Sequence, residues 1–350
     1  MKQTFAITRS QARLKRLSMK AVGAALLSIG VLSLASQPAW SADTKPIVIG
    51  QSIPTLNNPW YAQFAEGSRD MATALGVKLV LVTNPANAAF DPSAQINAIE
   101  NLIAQRPAAI QIDPTSSSAI DGAINEAMSA HIPVVTDGIH VTAKVDASVV
   151  ADNKQGGELA GKYIASRLTG GGDVAMLEGT PGRDIIAQRH AGFRAALATG
   201  KGVKIVASQN ANLDQAQGQT VTENILEAHR NLKAIWAASD TMALGAVEAL
   251  KARNMTGRVL LGGFDGTPDA FRDIKAGALD FTIDQVPYRM GATAIALAYK
   301  LAQGQKPPAD TVLKTTLVDK TNVADYLDKS AAKNKAVLDA TLKQYGLQAK

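Results

Sequence analysis

Side chains able to hold a small polar molecule recur in this sequence at one kind of place, just beyond a short apolar run. Asn57 and Asn58 follow the run at 46–53, Asp113 follows 108–112, and Asp137 follows 133–136. Later, Ser239 and Asp240 follow 234–238, Asp265 follows 259–262, and Gln285 follows 281–283. Carboxylates accept hydrogen bonds and amides both accept and donate, so the set suits non-covalent capture. A polar residue at a strand end also serves as a helix cap. Asp240 ahead of 241–252 reads as such a cap, and Asp113 before Pro114 reads as closing a turn. Covalent and metal chemistry lack their signatures. There is no GxxxxGK[ST] loop, no helix-opening GxGxxG, no GxSxG and no HExxH. His131, His140, His190 and His229 show no ligand spacing, and with no cysteine there is neither a thiol nucleophile nor a thiolate metal site. No cofactor or metal is expected.

The elements that must position these residues follow a regular rhythm. Apolar runs of strand length (46–53, 78–82, 108–112, 133–136) alternate with helical patterns at 59–75, 92–105 and 119–130. Pro59 suits a first helical turn and Gly76 a helix end. After 149–152 the rhythm restarts, with helices at 154–168, 185–198, 215–228, 241–252, 268–276 and 288–303. The strands between them fall at 174–177, 203–208, 234–238, 259–262 and 281–283, with a last one near 315–318. Uniformly apolar strands between helices predict parallel sheets covered on both faces. The fold class is therefore α/β, with two doubly wound lobes, and ligands of such sheets sit beyond the strands' carboxyl ends. The tail 322–350 is polar and helix-forming, with no pattern that places it.

The chain has 350 residues, enough for about two domains. Its formal charge of +6 resides in the first forty-two residues, where Lys2, Arg9, Arg13, Lys15, Arg16 and Lys20 meet no acid. Beyond them thirty basic residues face thirty acidic ones, which excludes a polycation that tracks nucleic acid by charge. The basic stretch leads into the uncharged run 21–35, about 22 Å long as a helix and short of the roughly 30 Å hydrocarbon core. Pro38 and the small residues Ala39, Ser41 and Ala42 follow, so 1–41 reads as a signal peptide cleaved after Ser41. The mature protein is expected to be periplasmic and, without cysteine, not lipidated.

Several segments together resemble the periplasmic sugar-binding proteins of the ribose-binding type: TLNNPWY at 55–61, IPVVTD at 132–137, ADN at 151–153, MALGA at 242–246, GFDGTPD at 263–269 and TIDQ at 282–285. The similarity runs from about residue 46 to 318. It implies two lobes joined by three strands, with crossings near 151/152, 285/286 and 314/315. The N-terminal lobe is then 42–151 plus 286–314, and the C-terminal lobe 152–285 plus 315–350. It further implies that Asn58, Trp60, Tyr61, Asp137, Asp265 and Gln285 contact the ligand. An indole face suits sugar C–H groups, and a carboxylate suits hydroxyl donors. Two consecutive aromatics cannot both face one helix core, which favours a ligand role for this pair. The sequence departs from the ribose pattern at Gly138 and Ala187, where arginines are expected, at Leu213, an aromatic position, and at Ser239, an asparagine position. Arg183 or Arg189 compensates from nearby, and Arg189 also suits a structural ion pair. A monosaccharide other than ribose, or a sugar alcohol, fits better.

The resemblance implies a monomer that hands its ligand to an ABC permease and that permease's ATPase on separate chains. Presentation to a chemoreceptor is the alternative. A carbohydrate-modifying enzyme using Asp137 and Asp265 as a carboxylate pair is a more distant one.

Overall fold

The computed structural model describes residues 46–327 and 330–350; the signal-peptide reading of 1–41 lies outside the described residues. The first half of the chain alternates strand and helix as β1 (Val48–Ile53), α1 (Pro59–Ala74), β2 (Lys78–Thr83), α2 (Pro92–Ala104), β3 (Ala109–Ile112), α3 (Asp121–Ser129), β4 (Val134–Asp137) and β5 (Ala147–Ala151). The second half begins with α4 (Asn153–Arg167), β6 (Gly172–Glu178), α5 (Asp184–Leu197), β7 (Val203–Asn210), α6 (Gln215–Ala228), β8 (Leu232–Ala237) and α7 (Asp240–Ala252). It continues with β9 (Leu260–Gly262), α8 (Pro268–Ala276), β10 (Phe281–Asp284), α9 (Pro287–Ala302), β11 (Asp310–Leu313), β12 (Thr316–Asp319), α10 (Ala324–Leu327) and α11 (Ser330–Gln344).

Local chemistry explains where these helices start. Asn58, Asp91, Asp152, Asp214, Ser239 and Thr267 each accept a backbone N–H of the following first turn, and proline opens α1, α2, α8 and α9. The cap at α7 corrects the sequence reading: Ser239 holds the Met242 N–H, while Asp240 already lies inside the helix.

Two six-stranded sheets form. The first runs β2-β1-β3-β4-β5-β11, parallel throughout; the second runs β7-β6-β8-β9-β10-β12, parallel except for β12. The order is the same in both, as expected of doubly wound units. The first sheet has one core against α1 and α9, including Ile49, Phe64, Met71 and Ile295, and another against α2 and α3, including Ile99, Leu102 and Ile124. The second sheet's core is built around Trp236, Phe193, Phe264 and Phe281. The chain passes from the first sheet to the second after Ala151, back after Asp284, and across again between Leu313 and Thr316. At the second passage Val286 has φ 52°, a left-handed conformation unusual for a β-branched residue.

Two features differ from the sequence reading. β11 carries no apolar signature, because it is an edge strand and Val312 within it is exposed. The tail does not stay with the second lobe. Tyr326 of α10 packs on Phe271 of α8, whereas α11 and the segment after it place Leu342 and Tyr345 in the first sheet's core. Lys300 Nζ donates to the Tyr345 carbonyl at 2.9 Å, and the Lys350 N–H donates to the Ala74 carbonyl at 2.8 Å. The assignment of 315–350 as a block to the C-terminal lobe therefore fails for α11, whose apolar face finds its partner on α1 and α9.

Candidate functional site

The carboxyl ends of both sheets face each other across a narrow cleft with about 450 Å³ of empty space, open solvent included. Asn58, Trp60 and Tyr61 enter it from the start of α1, Arg183 and Arg189 from the start of α5, Leu213 from the loop after β7, and Ser239, Asp265 and Gln285 from the ends of the second sheet. These sequence-nominated residues thus meet at one place, although they span more than two hundred positions.

Trp60 and Tyr61 are both nearly buried and meet edge to face, with ring centroids 4.9 Å apart. Trp60 also stacks on Phe64 at 5.5 Å, which fixes its plane while its indole N–H stays unpaired. Asn58 uses Oδ1 to cap α1 through the Trp60 N–H, and its Nδ2 donates across the cleft to Thr241 Oγ1 at 3.2 Å. On another part of the rim the Ser117 N–H donates to the Gly182 carbonyl at 3.3 Å, and Ser117 Oγ meets Asp184. Contacts between the lobes on both sides make this a closed geometry.

Asp265 sits at the end of a backbone bend with φ 133°, held by its N–H on the Ile283 carbonyl and by a bridge to Asp284. Its Oδ1 accepts from Gln285 Nε2 at 2.6 Å and pairs with Arg189 Nη1 at 3.4 Å. Burial pushes the Asp265 carboxyl up to about 7 even though Arg189 draws it down. Burial also lowers the Arg189 guanidinium to about 10, with Asp265 opposing that fall. Arg189 is anchored by Asn153 Oδ1 at 2.9 Å, by the Ala238 carbonyl at 2.6 Å, and by the Phe264 ring, 3.9 Å from its guanidinium carbon. Arg189 thus makes the structural ion pair and also lines the cavity.

Asp137 does not line the cavity, which corrects its nomination as a ligand contact. It is fully buried behind Asp113 and accepts from Gln111 Nε2. Asp113 takes the lining position in its place. It is fully buried, its Oδ1 accepts from the Tyr61 hydroxyl at 3.3 Å, and it pairs with Arg183 Nη2 at 3.6 Å. Its role exceeds the turn-closing one read from Pro114. Sequence reasoning also missed Phe90, Ile185 and Ile186, which line the cavity. Phe90 lies outside any helical or strand pattern, so no periodicity marks it. Asp284 points away from Gln285, as strand alternation requires, and faces a second cavity of about 870 Å³ beside α10 and α11. Among the described residues no cluster of His, Asp and Glu has the form of a metal site.

Two doubly wound lobes with a cavity walled by strand ends from both define the type I periplasmic binding protein fold. The chain belongs to the periplasmic binding protein family, whose domain matches residues 49–306. It is similar to the ribose import binding protein RbsB of Bacillus subtilis, 38% identical over 273 residues that cover 77% of this chain and 87% of that protein. A periplasmic solute-binding protein of Actinobacillus succinogenes with bound D-allose superposes with a TM-score of 0.76 at 34% identity, covering 80% of this chain and all of that one. A solute-binding protein of Bacillus halodurans with bound myo-inositol gives a TM-score of 0.76 at 27% identity, over 83% of this chain and all of that one.

Proposed function

We propose that the protein captures a monosaccharide or sugar alcohol between its closing lobes in the periplasm and delivers it, chemically unchanged, to an ABC-type importer. The observation that carries this reading is the convergence of an aromatic pair, two amides and two carboxylate–guanidinium pairs, drawn from both lobes, on one cavity. Aromatic faces suit the C–H side of a sugar ring, and the paired charges suit its hydroxyls. Contacts from both lobes exist together only when the jaws are shut, and that difference is what lets a ligand shift the equilibrium toward closure. The lobes move as 46–151 with 286–314 and 152–285 with 315–327, and the protein acts as a monomer. The ribose import binding protein and the solved neighbours with bound D-allose and myo-inositol support this ligand class.

Calorimetry of the mature protein against a panel of pentoses, hexoses and polyols tests the reading. Binding of at least one member is expected, with heat that returns to baseline and ligand recovered intact. Asp265→Asn is expected to weaken that binding about 10- to 100-fold, since a hydrogen bond to a charged group contributes about 1.5–3 kcal/mol. No heat from any member of the panel, or wild-type affinity in Asp265→Asn, overturns the assignment.

A further inference from the structure

The end of the cavity nearest Asp113 holds charges that the ligand class alone does not explain. β3 and β4 pair in parallel with Ile112 opposite Thr136, so the next residues, Asp113 and Asp137, fall side by side on neighbouring strands. Both are fully buried, and Oδ2 of each lacks an ordinary donor. Gly138 follows with φ 71°, and a Cβ there would come within 2.7 Å of Asp113 Oδ2, so the backbone closes over the pair. Arg183 reaches Asp113 from the other lobe through Nη2, while its Nε and Nη1, also buried, have no partner. Tyr61 Oη lies between them, 3.3 Å from Asp113 and 3.5 Å from Arg183.

We propose that Asp113 and Arg183 are the specificity-determining residues of the cleft: together they take one ligand hydroxyl, which donates to Asp113 and accepts from the free guanidinium N–H groups of Arg183, while Asp137 holds Asp113 in place through a shared proton. This rests on the sugar-binding reading and deepens it. Two adjacent carboxylates out of water repel strongly, and a single proton between the two Oδ2 atoms relieves that repulsion and satisfies both atoms. Burial raises both carboxyls; the charge on Asp113 raises Asp137 further, and Arg183 holds Asp113 down, so the proton resides on Asp137. The groups facing the pair are Arg183, Tyr61 and Gln111, and burial raises the Tyr61 hydroxyl so that it stays neutral. With Arg183 matched to Asp113 and Arg189 matched to Asp265, the wall carries no spare charge. The site therefore selects an uncharged ligand over a sugar acid or an amino sugar.

The test is a calorimetric cycle. A sugar that binds the wild type is compared with its singly deoxygenated analogues, with the corresponding aldonate and with an amino sugar, in wild type, Asp113→Asn and Arg183→Lys. One deoxy position is expected to cost the wild type about 100-fold, whereas the same analogue loses less than about threefold further in either variant. Arg183→Lys keeps the charge and removes the fork, so it serves should Asp113→Asn fail to fold. The aldonate and the amino sugar are expected to bind at least tenfold more weakly than the neutral sugar. Wild-type affinity is expected to fall toward alkaline pH as the shared proton leaves, and Asp137→Asn, which carries its own hydrogens at that place, is expected to flatten that limb. Additive losses at every deoxy position, a preference for the charged analogues, or an alkaline limb unchanged in Asp137→Asn overturns the inference while leaving sugar binding intact. Absence of any sugar binding by the wild type overturns the parent reading instead.

Discussion

Asp265 combines a strained φ of 133° with a carboxyl raised to about 7, and both are maintained by its neighbours rather than by local preference. It is one of several buried acids, with Asp113, Asp137, Asp240 and Asp284, that burial raises above the carboxylate value of an unfolded chain. In the folded state these groups keep protons that the unfolded chain has released. Their stabilising effect is full below the unfolded value near 4 and declines as pH rises through the folded values, which reach about 6 for Asp284 and about 7 for Asp265. The melting temperature of the ligand-free protein is therefore expected to fall between about pH 4.5 and about pH 7.5, and Asp265→Asn to lessen the slope. Differential scanning calorimetry checks this; a melting temperature that climbs across that window means the acids are ionised when folded. At this scale the sequence showed which residue types cluster at strand ends. It did not show that strand register sets Asp113 in front of Asp137, because register depends on pairing between segments.

Helix pairs depend on glycines that nothing in the local pattern explains. Gly67 of α1 and Gly291 of α9 lie against the backbone carbonyls of Tyr288 and Phe64. Gly157 of α4 and Gly192 of α5 lie against those of Arg189 and Lys154, and Gly218 of α6 and Gly245 of α7 against those of Met242 and Gln215. A Cβ at any of these would force the pair apart. Gly157→Ala is expected to destabilise by about 1–3 kcal/mol, the usual cost of overpacking, and to weaken ligand binding because it displaces the turn that carries Arg189. Gly122→Ala in α3 has open space around its Cβ and is expected to be neutral or to stabilise by about 0.4–1 kcal/mol. Denaturant unfolding of the two variants side by side distinguishes them, and equal stability would mean that the helices separate at little cost. Helical and strand periodicity made most elements legible. β11 escaped because an exposed edge lacks apolar alternation, and α11 could not be placed because it packs on α9 and on α1, the latter near the start of the described chain.

The two sheets share one strand order, yet neither lobe is a continuous stretch. Beyond the three passages between sheets, the chain crosses a further time, from α10 on the second lobe to α11 on the first. The tail thus ties the lobes together beside the second cavity, which Asp284 and Lys333 line. Deleting residues 330–350 uncovers the partners of Leu342 and Tyr345 and is expected to cost about 3 kcal/mol or more, at roughly 1.5–3 kcal/mol per large apolar side chain. It is also expected to widen the ligand-free protein, read as a larger radius of gyration in X-ray scattering. An unchanged radius and melting temperature would show that the tail only decorates the surface.

The same winding has a consequence for how the molecule comes into being. The first sheet owes one wall of its core to α9 and its outer edge to β11, both of which follow almost the whole second sheet in the chain. As the polypeptide emerges from the ribosome, its opening half has α1, α2 and α3 to pack on its strands but lacks α9 and β11 until about three hundred residues have been made. Such distant pairing slows folding. Completion of the first sheet's core therefore waits for segments made long after its opening strands.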